Sequence, residues 1–379
     1  METVLRKGKQ PYFTEEHDAL RERVRQFVKK EVSPYISEWE ELGTFPVSMF
    51  RKMGSLGFLG LRYPESVGGQ GGDYFMQMVL AEEINKCGAG GFPMGIAVQT
   101  DMATPPILQF GSPYHHEHFL KPAIRGEKIA AIGISEPNTG SDVSSIQTRA
   151  VKQGGEWVLN GAKMYITNGT RADFVTMVVR TSDEPGYKGI SLFLVETDTP
   201  GYSVSRKLDK VGMRSSDTAE LILDNVRVPD KNLLGVEGKG FYQIMWQLQG
   251  ERMIAAASAI GIMDFCYEKA AEAVENRGPA YRRSLLDIKR RIEVCREMTY
   301  ATAFRYSQGE VPSKEISMIK LLSAQTAHYA AGQALKLLGE EAAGPDHPVQ
   351  RLWRDSRLNR IGAGTDEVMK EIIAKEIGL

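Results

Sequence analysis

Thr148-Arg149-Ala150-Val151-Lys152-Gln153-Gly154-Gly155-Glu156-Trp157-Val158-Leu159 is the stretch that decides the fold. Two runs able to pair as strands flank Gly154-Gly155, the composition of a two-residue hairpin turn. Short apolar runs rich in β-branched residues surround it, at 129–134, 174–179, 190–195 and 221–223. Their spacing predicts a small antiparallel barrel or sandwich. Outside this region the pattern changes. Residues 12–125 read helical, with Leu20, Val24, Phe27 and Val28 at helical spacing behind the cappable, acidic start Thr14-Glu15-Glu16. Beyond Gly238 the chain turns helical again over 238–277, 282–308, 313–339 and 366–376, lengths that suit a four-helix bundle. The expected fold class is α+β in three parts: an N-terminal helical domain (1–125), a middle antiparallel β-barrel or sandwich domain (126–235) and a C-terminal four-helix bundle (236–379).

Composition narrows the function. With 379 residues and 42% apolar side chains, the chain buries one large core or two to three smaller ones. A net charge of -1 offers no field for nucleic acid or anionic membrane. Cys87, Cys266 and Cys295 are widely separated and show no metal-ligand spacing, so they read as reduced thiols. No apolar run approaches the roughly 18 residues of a membrane span, and no signal-peptide pattern opens the chain. A cytoplasmic protein is expected. His115-His116-Glu117-His118 invites a metal reading, but adjacent histidines on one helix point different ways, and a solvated helix face is expected instead.

Gln249-Gly250-Glu251-Arg252 carries the chemistry. It stands immediately before Met253-Ile254-Ala255-Ala256-Ala257, the composition of a buried helix. A carboxylate in such a setting must find a partner, titrate, or react. Taken alone, Glu251 reads as a buried salt bridge with Arg252.

Motifs elsewhere change that balance. Ser135-Glu136-Pro137-Asn138-Thr139-Gly140-Ser141-Asp142 resembles the TEPxxGSD motif of the acyl-CoA dehydrogenase family. Asn160-Gly161-Ala162-Lys163-Met164-Tyr165-Ile166-Thr167-Asn168 resembles its NGxKxWITN, and Arg354-Asp355-Ser356-Arg357 leads to Ile361-Gly362-Ala363-Gly364-Thr365 much as in RDxRxxxIYEGT. Lys210-Val211-Gly212-Met213-Arg214 precedes Asp217-Thr218-Ala219-Glu220-Leu221, as in the family. The similarity spans nearly the whole chain, and the order and spacing of the pieces make it specific.

The resemblance implies FAD as cofactor and an acyl-CoA thioester as substrate. It places Ile132, Ile134, Ser135, Gly140 and Ser141 along the flavin, with Tyr165 against the ring and Ile166 and Thr167 at its N5 and O4 side. Ser141 also marks where the phosphates of flavin and CoA meet. Thr365 and Glu367 touch flavin by the same resemblance, although helix capping explains Thr365 almost as well. The reaction removes an α-proton to a carboxylate and a β-hydride to flavin. In many members the carboxylate is the Glu of YEGT, where this chain has Ala363; the long-chain and isovaleryl-type branches carry it on the long helix, just before an Arg. Glu251 matches that alternative. Losing one carboxylate while gaining the other is a paired observation, which makes Glu251 the expected catalytic base. The Ala363 N–H keeps its implied role polarising the thioester carbonyl, a contact typically worth about 3–4 kcal/mol. Phe241, Tyr242, Gln249, Arg252 and Gly364 complete the implied substrate contacts. Cues to the acyl group divide between the long-chain and isovaleryl branches, so a medium-to-long or branched chain is expected, in fatty acid β-oxidation.

The expected partners are an electron-transfer flavoprotein as oxidant and further copies of the chain in a homotetramer or homodimer. Family tetramers hold the adenosine end of FAD with a neighbour's RxxFG…Q and QxxGGxG segments. Arg277 stands in the first, but Ala280-Tyr281 replace Phe-Gly and Ile288 replaces Gln; the second reads Lys336-Leu337-Leu338-Gly339-Glu340-Glu341-Ala342. Other readings of the same fold are oxidase, N-oxygenase or desulfinase chemistry, and a flavin-poor non-catalytic homologue.

Overall fold

The computed structural model describes residues 12–379; residues 1–11 of the expected first domain lie outside the described residues. Eight α-helices come first: α1 (Glu15–Phe27), α2 (Ile36–Leu42), α3 (Ser48–Ser55), α4 (Tyr74–Ile84), α5 (Gly91–Ala97), α6 (Pro105–Phe110), α7 (Pro113–His115) and α8 (Lys121–Ile124). Eight strands follow: β1 (Ala130–Gly133), β2 (Arg149–Gln153), β3 (Glu156–Thr167), β4 (Phe174–Arg180), β5 (Ile190–Glu196), β6 (Tyr202–Lys207), β7 (Thr218–Pro229) and β8 (Leu233–Leu234). The chain closes with α9 (Gly240–Val274), α10 (Pro279–Ser307), α11 (Ser313–Leu338), α12 (Pro348–Asp355) and α13 (Asp366–Glu376). No helix among the described residues is long and apolar enough to cross a membrane.

The expected hairpin forms. Gln153 pairs with Glu156 across Gly154-Gly155, with Gly154 at φ 67°, a conformation glycine reaches without strain. The sheet runs in the order β6-β7-β3-β2-β4-β5-β8. It is antiparallel except at β4, which takes β1 alongside it in parallel and touches β2 in parallel at Arg149↔Arg180. One core, including Trp157, Phe193, Leu221 and Val228, takes alternate residues along the strands, while the other face of β4 and β5 is buried in a second cluster with Phe174, Val178 and Leu192.

α4 is buried on nearly all sides, because it lies between α1 and the long helix α9. Its two carboxylates are accordingly partnered: Arg21 Nη1 donates to Glu82 at 2.9 Å and to Glu83 at 2.8 Å, and Tyr300 donates to Glu82 at 2.7 Å. One contact fixes the approach of α4 to α9. A Cβ added at Gly261 would lie 2.1 Å from the Glu82 carbonyl oxygen. In an unpacked helix Gly→Ala gains about 0.5–1 kcal/mol. Here overpacking reverses the sign, so Gly261→Ala is expected to lose about 1–3 kcal/mol. A lowered thermal midpoint is the expected result; an unchanged or raised midpoint contradicts this packing.

Candidate active site

Glu251 stands on α9 at the start of an apolar stretch enclosed by α4, α10 and α11, and it is 9% exposed. One turn earlier, Gln247 donates Nε2 to Glu251 Oε2 at 2.9 Å and to the Asp101 carbonyl at 3.2 Å. The other carboxylate oxygen, Oε1, accepts no hydrogen bond among the described residues. Burial pushes the Glu251 carboxyl above its usual range, against the Gln247 hydrogen bond and the nearby charges of Arg252 and Lys320. The carboxylate of Asp101 adds to the upward push.

The salt bridge with Arg252 that composition alone suggests does not form. Arg252 instead donates Nε to the Ala363 carbonyl at 3.1 Å, while Lys320 of α11 donates to the Gly364 carbonyl. Lys320 is 1% exposed, and burial pushes its ammonium down to about 8. The loop before α13 is thus held against α9 and α11 by one cation from each. Within it Ala363 sits at φ 57° and Gly364 at φ 105°, and the Ala363 N–H makes no hydrogen bond among the described residues. Thr365 caps α13, its hydroxyl accepting from the Val368 N–H at 3.2 Å, and Glu367 is exposed.

A second wall comes from the middle of the chain. Ile132 and Ile134 pack in the same apolar cluster as Ile244, Phe241, Met245 and Leu248 of α9, which joins the loop after β1 to the helix that carries Glu251. That loop is pinned from beneath. Lys163 of β3, fully buried, donates to Glu136 at 2.8 Å and to the Ile134 carbonyl at 3.1 Å, and the Ser135 carbonyl accepts from the Met164 N–H at 2.8 Å. Glu136 also accepts from the backbone N–H groups of Gln147 and Thr148 at 2.6 and 2.9 Å. Burial pushes Lys163 down to about 8, with Glu136 opposing the shift. Ser141 and Gly140 are exposed on the loop, and a Cβ at Gly140 would meet nothing within 4 Å. A side chain there obstructs only an incoming group.

Tyr165 lies where the pairing of β3 with β7 slips, at φ 63°, and turns 67% of its surface outward. Ile166 differs: its side chain is 2% exposed in the β core, beside the half-buried Thr167. Phe241 and Tyr242, at the start of α9, gather with Tyr187, ring centroids 5.4 and 5.7 Å from it. Gln249 is half-buried, with its Oε1 enclosed and unpartnered.

Arg277 is not brought together with these groups. It follows α9, about 35 Å along the helix from Glu251. It donates Nη1 to the Leu337 carbonyl at 2.9 Å, with its guanidinium over the Tyr281 ring. The histidine run also departs from expectation. His115 is 3% exposed rather than solvated, because its Nδ1 accepts from the Ser112 N–H at 3.0 Å as part of a helix cap. Among the described residues no group of three or more His, Cys, Asp or Glu could hold a metal ion.

Sequence reasoning missed Gln247, Asp101, Lys320 and the Glu136–Lys163 pair. The four-residue spacing of Gln247 and Glu251 was a readable signal. Glu136 and Lys163 stand at fixed letters of the two quoted motifs, but their pairing, like the places of Asp101 and Lys320, joins distant segments and leaves no local trace.

Models of the acyl-CoA dehydrogenase N-terminal, middle and C-terminal domains match residues 14–127, 131–226 and 238–378. An acyl-CoA dehydrogenase of Bacillus subtilis (strain 168) is 35% identical over 375 residues, covering 96% of this chain and 98% of the relative. The long-chain specific acyl-CoA dehydrogenase, mitochondrial, of Sus scrofa is 35% identical over 379 residues, covering 96% and 87%. The crystal structure of acyl-CoA dehydrogenase from Geobacillus kaustophilus superposes with a TM-score of 0.94 at 35% identity, covering 98% of this chain and 100% of that one. With three family models spanning nearly all of it, the chain belongs to the acyl-CoA dehydrogenase family of FAD-dependent oxidoreductases.

Proposed function

We propose that this enzyme converts a medium-to-long or branched acyl-CoA thioester to the trans-2-enoyl-CoA, with Glu251 as the base. The observation that carries the reading is Glu251 itself: an enclosed carboxylate, oriented by Gln247 through one oxygen and free at the other, next to a loop whose own residue 363 is alanine. A base needs a fixed direction and a raised proton affinity, and this environment supplies both.

The residues present fit FAD at its ring end. An exposed aromatic face at Tyr165, open space at Gly140 and a loop locked by the Glu136–Lys163 pair form a preset edge for a planar group. Ile132, Ile134, Ser135, Ser141, Thr167 and the backbone of Ile166 would line it, with Thr365 and Glu367 behind. FAD, when bound, supplies the acceptor for the β-hydride. Glu251 takes the α-proton on Oε1. The Ala363 N–H stabilises negative charge on the thioester oxygen as that proton leaves, and Arg252 and Lys320 keep this donor in place through the neighbouring carbonyls. Phe241 and Tyr242 offer an aromatic surface to the CoA moiety. The reducing equivalents pass to an electron-transfer flavoprotein, and self-association through α10, with Leu286 67% and Val294 54% exposed, lets Arg277 serve a neighbouring copy.

Anaerobic bleaching of bound flavin by a panel of acyl-CoAs tests the reading. Because burial raises the proton affinity of Glu251, and only its ionised form accepts a proton, the bleaching rate is expected to climb with pH through a value above the usual carboxylate range. A rate that is flat from the ordinary carboxylate range upward contradicts it. Lys163→Met leaves Glu136 buried without its cation. Loss of about 3–5 kcal/mol in urea unfolding, with reduced FAD retention on purification, is expected; unchanged stability contradicts the pinning role.

A further inference from the structure

Linked to Glu251 through Gln247, the protein places an ion pair, Arg62 with Asp101, that does not touch the carboxylate directly. Asp101, 3% exposed in the π-helical turn Val98–Ala103, accepts at Oδ2 from Gln77 at 2.8 Å and from the Thr100 hydroxyl at 2.6 Å. Its other oxygen, Oδ1, lies 4.0 Å from Arg62 Nη2, outside hydrogen-bonding range, and is enclosed without a partner. Arg62 Nε is likewise enclosed and unpartnered, while its guanidinium lies over the rings of Tyr63 and Tyr74. Gln247, which holds Glu251 with one amide atom, keeps Oε1 buried and unpartnered as well. One connected network touching the base therefore retains an unfilled donor and two unfilled acceptors.

A plain hydrocarbon tail against this wall would leave those groups unsatisfied, at a cost for each. An anionic tail would face the carboxylates of Asp101 and Glu251, with the Arg62 charge already countered by Asp101. A neutral group that both donates and accepts satisfies the set: it donates to Asp101 Oδ1 or Gln247 Oε1 and accepts from Arg62 Nε. The Arg62 side chain keeps 21% of its surface open, while the three unpartnered atoms themselves are enclosed.

We propose that Arg62, Asp101 and Gln247 form a recognition site for an uncharged hydroxyl on the acyl group, beyond the bond being oxidised. This deepens the assignment of Glu251 as base and rests on it. A site built to hydrogen-bond a hydroxyl rejects the analogue lacking it far more strongly than an apolar pocket rejects a missing methylene.

The test uses the FAD-loaded full chain under anaerobic conditions. Plain acyl-CoAs, ω-hydroxyacyl-CoAs and ω-carboxyacyl-CoAs are matched over a ladder of chain lengths, and the rate of flavin bleaching is read for each. At the best-fitting length the hydroxylated substrate is expected to exceed its plain counterpart by about tenfold or more in kcat/KM. In Asp101→Asn, checked for a normal flavin spectrum and thermal midpoint, that ratio is expected to fall towards one. Equal or faster bleaching by plain chains at every length overturns the hydroxyl site while leaving Glu251 as base. Preference for the carboxylated series overturns it too, as does a ratio unchanged in Asp101→Asn. Bleaching by no acyl-CoA at all overturns both the hydroxyl site and the base assignment.

Discussion

Everything at this site depends on one constraint: the Glu251 carboxylate is enclosed in a packed helical layer where water cannot solvate it freely. Such a group is costly to keep charged, and the cost sets its chemistry. The fold answers it sparingly, with one hydrogen bond from Gln247 and no ion pair with Arg252. A tight salt bridge would have lowered its proton affinity and tied up both oxygens. Arg252 is spent on the Ala363 carbonyl instead, so the cation beside Glu251 holds the loop before α13. The helix that carries Glu251 also fixes the loop at Ala363.

A second carboxylate holds the large parts of the chain together. Asp355, fully buried, accepts from the Gly90 N–H at 2.8 Å and from the Met213 N–H at 2.6 Å, joining the first helices, the loop after β6 and α12. Burial pushes its carboxyl up to about 6, a strain that the two N–H donors partly relieve. Asn168 does similar work, bonding the carbonyls of Gly95 and Ala130, and Asp217 receives the N–H and hydroxyl of Thr170. Several of the motifs that carry the family resemblance are thus fasteners between segments. They fix the frame that carries Ser135, Tyr165, Ala363 and Glu251.

The fold was legible where its signals are local. The Gly154-Gly155 turn, the capped start at Thr14 and the three long helices after Gly238 follow from periodicity and turn chemistry, with ends within a few residues of those expected. The parallel pairing of β1 with β4 was not legible, because a parallel partner is chosen by sheet packing and carries no turn signature. At the site, Glu251 was visible as a charge at the mouth of an apolar run. Asp101 was not, since its link to Glu251 passes through Gln247, 146 positions away and unremarkable in sequence. His115 misled for a local reason: the run was expected on a solvated helix face, yet its first histidine turns inward, capping its own helix and packing against Tyr114 and Phe119.

The most direct measurement is anaerobic single-turnover reduction of bound flavin in Glu251→Gln, alone and combined with Ala363→Glu. Residue 363 lies against the neighbour of the base through the Arg252 contact, so a carboxylate returned there approaches the same substrate carbon from the other wall. The assignment predicts that the single variant keeps its flavin spectrum and ligand binding but does not bleach, and that the double variant regains part of the rate. Near-normal bleaching in Glu251→Gln alone would contradict it.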